Sequence, residues 1–190
     1  MRADLFFRWS TAIFTFVFDG VVLLLLLLIA RGMPPRDAFA IRPPPSWRAA
    51  WTVAGGALAA TYAASFAEEI VFQHASREQA VPQFWDPTRF DAFLANAIAV
   101  AVFVPIVEEA ACRGLGFRLL EPFGRGVAIV GSSVAFALAH GAVFDLPWVL
   151  VTGLGLGYLR SRSGSLYPCV ALHALVNGIA IGASAVFAGS

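Results

Sequence analysis

An all-α, polytopic membrane bundle of about six transmembrane helices is the fold this sequence predicts, on three observations. Hydrophobic residues fill 59% of the 190 positions and charged residues only 13%, with a mean hydropathy of +0.76; soluble domains carry about a quarter charged residues. Apolar runs close to the length that crosses a bilayer recur along the chain. Turn-forming segments separate them: Pro43-Pro44-Pro45, Gly124 and Ser163-Gly164-Ser165. The length suits one membrane domain, 1–190. The net charge of +1 gives no reason to expect a nucleic-acid partner. Cys112 and Cys169 both fall in predicted helices and do not suggest a disulfide framework.

The first span covers about 9–30, carries no charge except Asp19 and includes the leucine run Leu23 to Leu28. It is longer than a signal-peptide core and no small-x-small cleavage site follows, so it reads as a retained span. Three consecutive prolines exclude helix from the next loop. The second span covers about 47–66, with tryptophans at its entry that suit a membrane interface. Residues 68–91 read as a polar loop, in which Glu68, Glu69 and His74 are interface residues. The third span starts near Phe93 and runs toward Leu120, kinked at Pro105, and Gly124 turns the chain into a fourth span over about 127–143. Asp145 and Pro147 mark the N-cap and first turn of a short fifth span ending near Arg160, with Gly153 and Gly157 as a small-residue packing face. Pro168 sits in the first turn of a sixth span ending near Phe187.

All thirteen basic residues are arginines. Arg31, Arg36, Arg42 and Arg48 lie between spans 1 and 2, Arg113, Arg118 and Arg125 around the third and fourth, and Arg160 and Arg162 between spans 5 and 6. This bias places those connections in the cytoplasm and the N-terminus outside.

Three clusters carry the chemistry: Glu108-Glu109-x3-Arg113, Phe136-x3-His140 and His173-x3-Asn177. Ionisable groups inside a span are costly and mark function. Glu108 lies 16 residues before Gly124 and His140 lies 16 after it, so both sit about 24 Å from the turn and at one depth. A glutamate and a histidine at equal depth can share one water, the glutamate as general base and the histidine orienting the nucleophile or protonating the leaving group. Glu109 and Arg113 stand at i and i+4, the favourable order for an ion pair. Glu108 points about 100° away from Glu109 and is free for chemistry. His173 and Asn177 share a helix face and can both donate to one developing oxyanion. Phe136 faces the same way as His140 and shapes the pocket wall. Asp19 has no evident partner, and the two cysteines read as packing residues near the site.

The three clusters, in this order, resemble the motifs EExxxR, FxxxH and HxxxN of the CPBP family of intramembrane proteases, the CAAX-protease and bacteriocin-processing group also called Abi. Arg113-Gly114 and Gly164-Ser165-Leu166-Tyr167-Pro168 add to the resemblance. It covers 92–178 as a catalytic core, preceded by two N-terminal transmembrane helices. It implies a glutamate-type intramembrane endopeptidase acting on a membrane protein or peptide within the bilayer, in which Glu108 and His140 activate water and His173 with Asn177 form the oxyanion hole. Glu109, Arg113 and Phe136 support them. The family is often labelled metalloprotease; metal-free chemistry is expected here because no HExxH is present, with zinc held by Glu108, His140 and His173 as the alternative. Cys112 stands where the family often has an aromatic residue. Size and composition fit a multi-pass protein of a bacterial cytoplasmic membrane, with C-terminal sorting-tag or bacteriocin processing as candidate roles. A non-catalytic self-immunity or scaffold protein that binds a partner peptide is the competing class.

Overall fold

The computed structural model describes residues 4–71, 82, 84–141 and 144–187, and among these no strand occurs. Six long helical segments follow one another: α1 Trp9–Ile29, α2 Trp47–Val71, α3 Pro87–Phe123, α4 Arg125–Ala139, α5 Leu146–Ser163 and α6 Tyr167–Phe187. Stretches of α1, α3 and α6 are each long and apolar enough to cross a membrane on their own, and α4 is a shorter apolar helix. The six expected spans therefore correspond to six helices of unequal apolarity.

Small residues bring the central helices together. A Cβ on Gly153 or Gly157 of α5 would stand 3.2 Å from Ser133 of α4, and one on Gly155 would stand 2.9 Å from Ala57 of α2. Thr152 adds a hydrogen bond to Thr61 of α2 (3.2 Å) inside this contact. Leu156, Leu159, Cys169 and Phe136 fill the core that α2, α4, α5 and α6 share. The arginine-rich connections meet at one end of the bundle. Arg42 Nε donates to the Gly164 carbonyl (2.9 Å), Ser165 Oγ to the Arg42 carbonyl (2.6 Å) and the Leu166 amide to the Ala40 carbonyl (3.0 Å). At the other end the start of α3 holds the N-terminal segment: Asn96 Nδ2 donates to the carbonyls of Phe6 (3.1 Å) and Arg8 (3.0 Å), beneath the rings of Phe7, Phe84 and Phe93.

α3 departs from a regular helix on both sides of Pro105. Residues Ala99–Phe103 and Ala110–Gly116 are π-helical. The Val104 amide reaches back five residues to Ala99, and the next residue is a proline with no N–H to continue the pattern. Instead of a simple kink, Pro105 thus sits beside a π-turn, which is how helices commonly absorb such a mismatch. In the second π-segment the Phe117 amide reaches Cys112. The backbone closes so tightly that a Cβ on Gly116 would lie 2.8 Å from the Ala111 carbonyl oxygen. Gly116→Ala should therefore destabilise the protein by on the order of 1–3 kcal/mol, seen as a lower thermal midpoint in detergent. Gly126→Ala, at a site with open space, should be neutral or slightly stabilising.

Three sequence expectations change. α2 runs to Val71, past Phe66, so Glu68 and Glu69 are helical rather than in a loop; His74 lies outside the described residues. α4 ends at Ala139, with His140 as its C-cap and Gly141 at φ 63° in the left-handed conformation that stops the helix; residues 142–143 lie outside the described residues. α5 opens after Asp145, as expected, but the Asp145 side chain makes no capping bond and the helix continues to Ser163. Glu68 Oε2 accepts the Trp148 amide of that first turn instead (3.2 Å).

Candidate active site

The π-segments and the C-cap set the site. Because α4 stops where it does, His140 Nδ1 turns back to the Phe136 carbonyl at 2.8 Å, one of the carbonyls that a helix end leaves without a backbone donor. His173 Nδ1 lies 3.0 Å from Glu109 Oε1. A carbonyl and a carboxylate accept only, so each Nδ1 carries its ring's proton. With one proton on Nδ1, the other ring nitrogen, Nε2, is the one that can accept. Both lone pairs face the same atom: Glu108 Oε2 is 4.0 Å from His140 Nε2 and 3.8 Å from His173 Nε2. Glu108 Oε2 is buried without a hydrogen-bond partner. Glu108 and His140, expected at one depth, are thus neighbours across the α3–α4 hairpin.

Behind this acceptor set lies a charged scaffold. Glu109 and Arg113 are fully buried and paired, Arg113 Nη1 donating to Glu109 Oε1 at 3.0 Å. Arg113 Nη2 donates to the Gly153 carbonyl (2.9 Å), and the guanidinium lies 4.3 Å from the centre of the Phe136 ring. The Phe136 ring also contacts both imidazoles, at centroid distances of 4.5 Å to His140 and 5.5 Å to His173. The ring thus packs against the buried cation and both imidazoles.

Asn177 takes a position the sequence does not reveal. Its Nδ2 donates to the Val100 carbonyl at 2.9 Å. The Val104 amide has gone to Ala99, and Val100's next possible donor is Pro105, which has none. Asn177 therefore satisfies a carbonyl that the π-turn frees, and one amide hydrogen remains for the pocket. Arg160 does the same at the second π-segment, with Nε donating to the Arg113 carbonyl at 2.9 Å. His173 cannot donate to an oxyanion as it stands, because its ring proton is given to Glu109; it becomes a donor only once Nε2 is protonated.

Phe136, His140, His173 and Asn177 line a cavity of about 10 Å³ together with Trp148, Val149, Thr152 and Val176. That is room for about one water. The last four residues carry no charge and follow the ordinary apolar pattern of α5 and α6, so no sequence signal marks them. Asp19 is buried on the inner face of α1, within electrostatic reach of Glu108. Cys169 is a core thiol with no exposure. Among the described residues, no group of three or more His, Cys, Asp or Glu side chains is arranged to hold a metal ion.

Fold and site together define a helical membrane protein with a carboxylate and two imidazoles gathered inside the bundle. Residues 90–179, just under half of the chain, match the family model of the Rce1-like type II CAAX prenyl endopeptidases. This match agrees with the resemblance of the three motifs to the CPBP family of CAAX-type proteases. No curated protein and no solved structure matches the chain. The family is one of proteases, and it supports an endopeptidase function within the membrane.

Proposed function

We propose that this protein is an intramembrane endopeptidase that hydrolyses a peptide bond of a membrane-associated protein or peptide with a water activated by Glu108. One observation carries the reading: the unpartnered Glu108 Oε2 faces the Nε2 lone pairs of His140 and His173 at 4.0 and 3.8 Å. These separations are too long for direct hydrogen bonds. They suit a water about 2.8 Å from two of the atoms, which would subtend an angle of about 90° there, close to the angle between a water's own hydrogens.

In this mechanism Glu108 takes a proton from the water, and the new hydroxide attacks the scissile carbonyl carbon. The second Asn177 hydrogen donates to the oxyanion, joined by His173 when the proton that Glu108 has taken passes reversibly to its Nε2. Glu109 holds the Nδ1–H of His173 and balances the imidazolium charge, as the buried aspartate does in serine-protease triads. Glu108 or His140 returns the proton to the leaving amine. The arginine-only composition and small size favour a bacterial cytoplasmic-membrane enzyme acting on a C-terminal tag or a bacteriocin precursor.

The reading derives no step through zinc. If zinc acted here, Glu108, His140 and His173 would hold it and the ion would polarise the water and the carbonyl. The test is cleavage of a membrane-anchored reporter in liposomes, with products identified by mass spectrometry. Full turnover after exhaustive chelation is the expected result. Loss in chelator that Zn²⁺ restores would overturn the metal-free mechanism.

A further inference from the structure

We propose that the cavity beside the catalytic cluster is the subsite for a substrate side chain next to the scissile bond, and that its size restricts that side chain to glycine or alanine. The inference rests on the endopeptidase reading and deepens it by naming the class of sequence the site selects.

The cavity adjoins the reacting groups. His140, His173 and Asn177 all line it, and Asn177 keeps one amide hydrogen beyond its bond to the Val100 carbonyl. An acyl group held by that hydrogen brings a side chain flanking the scissile bond to the cavity. The remaining walls are made by Val149 and Thr152 of α5 and Val176 of α6. Val149 is only 1% exposed. The Thr152 hydroxyl is already engaged by the Trp148 carbonyl (2.8 Å) and the Thr61 hydroxyl (3.2 Å). Walls of this kind offer a water few free polar partners, so an apolar group is the better occupant. A space of about 10 Å³, enough for one water, takes one methyl group of similar size.

These walls cannot easily retreat. Arg113 Nη2 holds the Gly153 carbonyl at 2.9 Å, next to the wall residue Thr152. A Cβ on Gly153 would stand 3.2 Å from Ser133, and one on Gly155 would stand 2.9 Å from Ala57, so α5 is also wedged between α4 and α2. α6 is tied by His173 to Glu109 (3.0 Å) and by Asn177 to Val100 (2.9 Å). Phe136 packs against Arg113 and both imidazoles. A valine or leucine side chain could enter only by straining the ties that position His173 and Asn177. Small misplacements of reacting groups are costly in rate, so the penalty for bulk falls on the transition state and appears in kcat/KM.

The test uses the full chain in liposomes. A library of single-span membrane reporters is randomised along the span, and the products are mapped by mass spectrometry. One of the two positions flanking the mapped bond should hold glycine or alanine at least about tenfold above their share of the library. From the best-cleaved sequence, reporters with glycine, alanine or valine at that position are compared by kcat/KM. The parent should cut the alanine reporter at least about thirtyfold faster than the valine reporter, and about fourfold faster than the glycine reporter, the gain from burying one methyl group. Val149→Ala enlarges the cavity and should lower the alanine-to-valine ratio at least about tenfold. Val149→Ile fills it further and should bring alanine down to glycine or below. Each ratio is taken within one preparation, so any loss of folded protein cancels. Cleavage with no size preference at either flanking position, or ratios that neither Val149 variant moves, overturns the inference and leaves the endopeptidase reading standing. A parent that cuts no reporter in the library overturns the endopeptidase reading itself, and the inference with it.

Discussion

Glu108→Gln should lower peptide-bond hydrolysis by about 10³-fold or more while leaving the fold and its thermal midpoint essentially unchanged. Glutamine has the shape of glutamate, so packing is conserved. Glu108 Oε2 has no hydrogen-bond partner, and the side chain is 32% exposed, so no structural bond is lost. What is lost is the base. An amide cannot take the water's proton, and its NH2 would donate to the imidazole lone pairs and occupy the space where the water is held. The measurement is single-turnover cleavage in liposomes beside a thermal melt of the same preparation. A variant that cleaves within tenfold of the parent would remove Glu108 from the mechanism; one that melts far below it would show that the residue is structural.

Depth matching works from sequence because an antiparallel hairpin equates residue counts from its turn: Glu108 and His140 each stand 16 residues from Gly124, and they meet at 4.0 Å. The i, i+4 spacing of Glu109 and Arg113 is likewise a local rule, and it gives the buried ion pair. The π-segments are different. Nothing in the composition of 99–116 separates a π-turn from an α-turn except Pro105, and proline permits either a kink or a bulge. The Asn177–Val100 bond follows from that choice, so it cannot be read before the backbone is known. The same limit applies to His173. Its spacing to Asn177 suggests two donors on one face, yet the ring's tautomer is decided by Glu109, 64 residues away in the chain. The sequence expectation runs past the α4 terminus because His140 and Gly141 lead on into Ala142 and Val143, and the helix stop is signalled only by the glycine.

Removing either partner of the Arg113–Glu109 pair should cost more stability than the other single changes in the site. Arg113→Met leaves Glu109 as a carboxylate with no exposure and no arginine partner, held by His173 Nδ1, and frees the Gly153 carbonyl. Breaking a buried pair from one side costs about 3–5 kcal/mol, a large share of the stability of a domain this size. Glu109→Gln leaves a buried cation instead and should destabilise by a comparable amount. It also removes the charge that balances a protonated His173, so turnover of whatever protein folds should fall by about 10²–10⁴. The two effects separate in the double variant Glu109→Gln, Arg113→Met. With both charges gone, the melting midpoint should recover toward the parent, giving a coupling of at least about 3 kcal/mol by a double-mutant cycle, while cleavage stays lost. Purely structural roles for Glu109 and Arg113 would make activity return with stability. Recovery of the fold without recovery of cleavage would place Glu109 in the reaction through His173. No coupling at all would contradict the ion pair itself.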